Sequence, residues 1–143
     1  MKASQLLKKQ HRDVEKLFAT ALKTEDPKAR RRAMDEIKTQ LEHHTAIEEN
    51  IFYPAVREIG TKKAEELVPE AYEEHHVVKL VLAELPNVDP SDDAFEYKMT
   101  VLKELVAHHV EEEEDEMFPM AEKKLGDRRS HELAQQMAGP KAA

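Results

Sequence analysis

The chain contains no cysteine and no tryptophan, and only 3 glycines among 143 residues. Without cysteine there can be no disulfide, no thiolate metal site and no thiol catalysis. No apolar run approaches the ~18 residues of a membrane span, so no membrane partner is expected. Positive charge is also in deficit. The 22 Lys and Arg face 30 Asp and Glu, a net charge of −8. Nonspecific nucleic-acid binding rests on Lys and Arg at phosphates, so a nucleic-acid partner is not expected. The one basic cluster, Lys28-Ala29-Arg30-Arg31-Arg32, reads as a solvated helix face. The opening Met1-Lys2-Ala3-Ser4 leads directly into an amphipathic segment and does not have the pattern of a signal peptide, which makes the cytoplasm the expected location. What the chain has in quantity is Ala, Leu, Glu and Lys, all good helix formers. Its length suits one domain with a sizeable core, and the composition predicts that domain to be all-α.

One stretch occurs twice. His43-His44-Thr45-Ala46-Ile47-Glu48-Glu49-Asn50-Ile51-Phe52-Tyr53-Pro54 returns as His108-His109-Val110-Glu111-Glu112-Glu113-Glu114-Asp115-Glu116-Met117-Phe118-Pro119. In each copy a His precedes a Glu by four residues and a Pro follows ten residues after that His. As a helix, the first copy places Ile37, Leu41, His44, Glu48 and Ile51 on one stripe, and the second does the same with Leu102, Val106, His109, Glu113 and Met117. Ionisable groups therefore stand where an apolar core is normal. A Glu buried alone would cost several kcal/mol or take up a proton. Two such Glu, each one turn from a His, call for a shared positive partner, and a metal ion is the economical one.

Four main helices follow from the pattern. The first runs from Ser4, its expected N-cap, to Lys23, with Leu7, His11, Val14, Leu17, Phe18 and Ala21 on its stripe. Asp26-Pro27 caps and starts the second, which reaches Tyr53 and ends or kinks at Pro54. A short turn from Thr61 to Leu67 precedes a third helix that starts at Pro69 and ends near Leu85, carrying His75 on its stripe. Ser91 is the expected cap of the fourth, which runs to Met117, kinks at Pro119 and closes at Gly126. A last short helix spans 128–137, ending at Gly139-Pro140. Short connections predict an up-down-up-down four-helix bundle over residues 1–126, with 127–143 as a short C-terminal helix and tail packed on it. Each main helix contributes a His to the inner stripe (His11, His44, His75 and His109), and the second and fourth add Glu48 and Glu113.

The motifs Gln10-His11-Arg12-Asp13-Val14-Glu15, His44-x-x-x-Glu48-Glu49 through Phe52-Tyr53-Pro54, Glu74-His75-His76, and His109-x-x-x-Glu113-Glu114 through Phe118-Pro119 resemble the hemerythrin-like, or HHE cation-binding, family in its stand-alone bacterial form. The resemblance implies a hemerythrin-like bundle around two non-haem iron ions. His11, His44, His75 and His109 would be terminal ligands, with Glu48 and Glu113 bridging. Two His per ion and two shared carboxylates give four protein donors each, and a bridging oxide or hydroxide would leave about one position open for a small ligand. Imidazole and carboxylate suit iron, and also manganese or zinc. Two departures from the oxygen-carrying members stand out: Lys79 occupies the place of a further His one turn after His75, and His109-x-x-x-Glu113 replaces a His-x-x-x-x-Asp spacing.

The expected function is therefore binding or reaction with oxygen or peroxide, with catalase-like peroxide breakdown as the candidate enzymatic activity and nitric oxide as a further small ligand. The alternatives are sensing of iron, oxygen or nitric oxide, iron handling, and a metal-free helical interaction module. A ferritin-like centre would need Glu-x-x-His on two helices. Glu73-x-x-His76 supplies it once, whereas Gln40 and Leu105 stand three before His43 and His108. His76 is the alternative to His75, and His43 and His108 fall off the inner stripe. Glu49 and Glu114 are not singled out by the helix arithmetic. Tyr53 falls opposite His44 by the same arithmetic, unless a kink at Pro54 turns it inward. Lys79 either adds positive charge that favours an anionic peroxide near the metals or pairs with a surface Glu.

Overall fold

The computed structural model describes residues 1–139, so the expected tail beyond Gly139 lies outside the described residues. Among those residues the chain is helical throughout, and no helix is long and apolar enough to cross a membrane. Four long segments run up, down, up and down: α1 (Ala3–Lys23); α2 (Pro27–Ile47) with its continuation α3 (Tyr53–Glu58); α4 (Lys62–Glu84); and α5 (Asp93–Glu112) with its continuation α6 (Phe118–Ala138). The all-α bundle expected from composition and periodicity is what the chain forms.

Each down-running segment contains one π turn, at Glu48–Phe52 and at Glu113–Met117. The Tyr53 N–H reaches back to the Glu48 carbonyl, and the Phe118 N–H to the Glu113 carbonyl, five residues each. A π turn spends one extra residue, so everything after it is rotated by about 100° relative to an uninterrupted α-helix. The two prolines explain why this register is tolerated. Pro54 and Pro119 have no N–H to give to the preceding turn, and in the first copy the Glu49 carbonyl thereby left over accepts the Tyr72 hydroxyl at 3.0 Å.

Several helix ends differ from the sequence expectation. Lys2, not Ser4, precedes the first helical residue. The buried Ser4 gives its hydroxyl and N–H to Glu122, and the Ala3 N–H bonds Ser130 Oγ at 2.9 Å. The open end of α1 is thus closed by α6, a partner distant in sequence. α4 is continuous from Lys62, with Thr61 accepting from the Ala64 N–H and Pro69 inside the helix. The packing of Ala64 and Val68, both essentially inaccessible, outweighs the one backbone bond that Pro69 removes. Asp92, not Ser91, caps α5 through the Ala94 N–H at 2.9 Å. Asp26-Pro27 caps and starts α2 as expected. The basic cluster is only partly a solvated face. Arg30 donates to the carbonyls of Thr24 and Pro90, and Arg31 to those of Pro86 and Val88, tying down the loop between α4 and α5. Gly126 breaks the regular course of α6 with φ +80°, a left-handed conformation that other residues rarely adopt.

Two apolar clusters fill the bundle, one toward each end. One holds Leu7, Phe52, Val56, Val68, Phe118 and Leu133; the other holds Val14, Phe18, Met34, Ile37, Leu82, Phe95 and Leu102. The histidine level lies between them. The Tyr72 contact to the Glu49 carbonyl is a single hydrogen bond at the edge of this layer. Tyr72→Phe should therefore lower stability by about 1 kcal/mol, read from the urea midpoint at unchanged slope. An unchanged midpoint would show that the freed carbonyl finds water equally well.

Candidate metal centre

Six side chains converge between the two apolar clusters: His11 from α1, His44 from α2, Glu48 from the first π turn, His75 from α4, His109 from α5 and Glu113 from the second π turn. All are buried, with Glu48 and Glu113 at 0 % and 1 % exposure. Glu48 Oε1 lies 3.1 Å from Nε2 of both His44 and His75. Glu113 Oε1 lies 3.2 Å from His11 Nε2 and 3.3 Å from His109 Nε2. Each carboxylate thus reaches one His of the pair His11/His44 and one of the pair His75/His109. His75, not His76, points inward; His43, His76 and His108 are exposed.

The outer edges of the rings fix their tautomers. His11 Nδ1 meets Glu114 at 2.7 Å, His44 Nδ1 meets Gln10 Oε1 at 2.6 Å, His75 Nδ1 meets Glu49 at 2.8 Å and His109 Nδ1 meets Glu74 at 2.6 Å. A carboxylate or amide oxygen only accepts, so each Nδ1–H is the donor. Every Nε2 is thereby turned toward the centre, the arrangement that orients metal-binding imidazoles elsewhere. Glu114 is also held by Arg12, and Glu49 by Lys79 at 2.9 Å. Lys79 is half-exposed and directs its charge to Glu49, so the surface pairing is the arrangement realised and its charge is not aimed at the centre.

Tyr53 is the unexpected member. The π turn rotates it inward, where its hydroxyl donates to Glu113 Oε2 at 2.7 Å and lies 3.1 Å from Nε2 of both His75 and His109. Phe118, at the equivalent place in the second copy, stacks on His11 with ring centroids 5.8 Å apart. Uninterrupted helix arithmetic puts Tyr53 opposite His44, and the inward turn left open at Pro54 is the one that occurs, through a widened turn. The same arithmetic missed Gln10, Glu49, Glu74 and Glu114. A signal for them was present: Glu49 and Glu114 are the second members of a repeated Glu pair, and Gln10 and Glu74 each stand immediately before a candidate His.

The electrostatics are those of a compressed polar layer. Burial works to raise the Glu48 carboxyl, but the charge of His44 and hydrogen bonds with Glu113, His109 and His44 hold it well below the usual carboxylate range. Burial disfavours the imidazolium of His109, yet the Glu113 charge and hydrogen bonds to Glu113, Glu48 and Glu74 push it well above its ordinary value. His11 is raised by the same balance, dominated on the favourable side by Glu113. Burial and the two central carboxylates keep the Tyr53 phenol protonated well past its usual range. At the surface, burial and the neighbouring Glu74 push the Glu112 carboxyl up to about 7.

The donor set fits metal ions. Nε2 of His11 and His44, Oε2 of Glu48 and Oε1 of Glu113 are buried without a well-aligned hydrogen bond, despite the close contacts among them, and the Nε2 atoms of His75 and His109 face each other at 3.1 Å. Nitrogen lone pairs so placed need a proton or a cation among them. Two groups at the centre can hold an ion, His11/His44/Glu48/Glu113 and Glu48/His75/His109. A third, Glu74/His108/Glu112, lies at the surface. On the side away from Tyr53 a cavity of about 20 Å³ opens onto all four histidines, walled by Val14, Leu41, Val78, Val106 and Val110.

Comparison with known proteins agrees with this geometry. A solved hemerythrin HHE cation-binding domain protein from Mycobacterium kansasii superposes with a TM-score of 0.83 at 27% identity, over 96% of this chain and 83% of that one. A protein of Nostoc sp. named DNA nickase is 25% identical over 143 residues, 99% of this chain and 40% of its own. A hemerythrin-like protein of Schizosaccharomyces pombe is 24% identical over 126 residues, 88% of this chain and 62% of its own. The chain thus spans less than two thirds of either curated relative. The family model of the hemerythrin HHE cation-binding domain matches residues 2–121, and the chain is a member of that family.

Proposed function

We propose that this chain is a non-haem di-iron protein that binds or reacts with oxygen or peroxide, held by His11, His44, His75 and His109, with Glu48 and Glu113 shared between the two ions. The observation that carries this reading is the set of four Nε2 atoms, each locked inward by an outer acceptor and each within 3.1–3.3 Å of one of two buried carboxylates. Paired iron ions would supply redox and Lewis-acid chemistry toward a small oxygen ligand.

The chain's own residues define what can reach that chemistry. Val14, Leu41, Val78, Val106 and Val110 give the cavity an apolar wall, and it has room for about one water-sized molecule, so a ligand of very few atoms is the class that fits. The Tyr53 hydroxyl holds a proton at Glu113 Oε2, a donor that does not have to give up its place to a metal ion. Peroxide breakdown is the enzymatic activity we favour. Its support is now the Tyr53 proton and the cavity, since Lys79 is engaged with Glu49. No nucleic-acid substrate forms part of the proposal: Arg30 and Arg31 spend donors on loop carbonyls, and the net charge is −8.

Anaerobic Fe(II) loading followed by elemental analysis should give two ions per chain, and addition of peroxide should evolve oxygen. A chain that stays metal-free, or a loaded centre inert to both oxygen and peroxide, would refute the respective half of the proposal. Glu48→Ala and Glu113→Ala should each lose most of the ion pair. Glu49→Ala and Glu114→Ala, which remove outer partners of His75 and His11, should weaken binding by roughly 10–100-fold. Equal loss in all four variants would contradict the distinction between shared and outer carboxylates.

A pH dependence follows from His109 and His11. Their raised values add stability to the metal-free protein that is fully present below their ordinary value of 6.5 and is lost as pH rises through the raised values. The metal-free melting temperature should fall as pH rises above about 6.5, whereas the loaded protein, whose ions replace those protons, should hold its own. Loading near neutral pH should also release protons, measured by calorimetry in buffers of different ionisation enthalpy. A buffer-independent heat would contradict it.

A further inference from the structure

The repeat makes the centre two-fold in outline. His11 corresponds to His75, His44 to His109, Glu48 to Glu113, and the outer carboxylate Glu114 to Glu49. Two pairs break the correspondence. Gln10, immediately before His11, holds His44 through a neutral amide oxygen at 2.6 Å. Glu74, immediately before His75, holds His109 through a carboxylate at the same distance. Phe118 presents a bare ring to the His11/His44 half. Tyr53 presents a hydroxyl 3.1 Å from both nitrogens of the His75/His109 half.

The first departure favours one half. An anionic partner on Nδ1–H makes the ring a stronger donor at Nε2, and the His75/His109 half has two such partners, Glu49 and Glu74, against one, Glu114, in the other half. The cations on the outer carboxylates do not reverse the balance. Arg12 sits on Glu114 and Lys79 on Glu49, while Glu74 meets the exposed His108 at 3.6 Å and the carboxyl of Glu112 but no Lys or Arg. The shared carboxylates do not discriminate, since each touches one ring of each pair. Gln10 also lines an open cleft at the surface between α1 and α2, together with Asp13, Thr39, Gln40 and His43, as well as the inner cavity. The outer partners of both halves are partly exposed, so the charge of those partners, not their access to solvent, separates the halves.

We infer that the two metal positions are inequivalent: the His75/His109 position fills first and binds more tightly, the His11/His44 position is the exchangeable one, and the pair Gln10 and Glu74 are the positioning residues that set the difference. This inference rests on the di-metal reading above.

The test is a competition titration of the anaerobic Fe(II)-loaded protein against a chromogenic chelator, giving two dissociation constants. Two dications repel even in identical positions, so a gap between the constants is not diagnostic; its change in variants is. Gln10→Glu should tighten the weaker constant by about ten-fold or more, and Glu74→Gln should weaken the tighter one by a similar factor. Both variants narrow the gap although they change the net charge in opposite senses, which a general field effect cannot do. A gap that widens or stays fixed in either variant overturns the assignment. Circular dichroism of both metal-free variants, both near-isosteric, controls for misfolding. A wild type that takes up fewer than two ions overturns the di-metal reading as well, and so is distinct from a wild type that takes up two ions whose constants respond wrongly.

Discussion

Two carboxylates with no access to water sit in the middle of an apolar bundle, and the rest of the molecule is arranged around that cost. An isolated buried carboxylate is unfavourable by several kcal/mol, so Glu48 and Glu113 are tolerable only inside a ring of imidazoles that bring protons or metal to them. The imidazoles in turn need fixed orientations, which the outer carboxylates and Gln10 supply. Those outer groups lie where α1, α2, α4 and α5 meet, so the helix packing and the polar layer specify each other. The apolar clusters at the two ends hold the helices at the spacing the layer requires.

Much of this was written in the periodicity. The α-helical steps that aligned His44 with Glu48 and His109 with Glu113 hold in the structure because both pairs lie before the π turns or at their first residue. Tyr53 lies beyond one, and there the same arithmetic points the wrong way. The mark of the change was Pro54, which shows where a backbone bond must be missing but not that the turn widens instead of bending. The helix ends failed for a different reason. Ser4 and Ser91 have the chemistry of caps, yet Ser4 is taken by Glu122, more than a hundred residues away, and Asp92 offers a better carboxylate one position on. Pro69 argued locally for a helix start, and the burial of Ala64 and Val68 overrode it. Pairings between distant segments are not visible in a local pattern.

Lys79 had two open roles in the sequence, and the surface pairing is the one realised. Its position one turn after His75 is real, but a half-exposed ammonium with an acceptor beside it turns outward, because the strongly hydrated charge keeps its water and gains Glu49. Its influence on the centre then passes through the His75–Glu49 hydrogen bond and amounts to partial neutralisation of one outer carboxylate. Arg12 does the same for Glu114, so the two cations keep the two-fold outline where Gln10 and Phe118 depart from it.

That outline has a consequence for what a single polypeptide can build. Two identical helical hairpins meeting across a symmetry axis would also enclose two His pairs and two shared carboxylates. In such a homodimer, however, one codon would write both Gln10 and Glu74, and another both Tyr53 and Phe118, so the two halves could never be tuned apart. Joining the hairpins through the turn at 59–61 releases that constraint. Each half keeps the geometry that symmetry provides, while its outer partners vary independently, as the subunits of a heterodimer do, without a second gene or an assembly step.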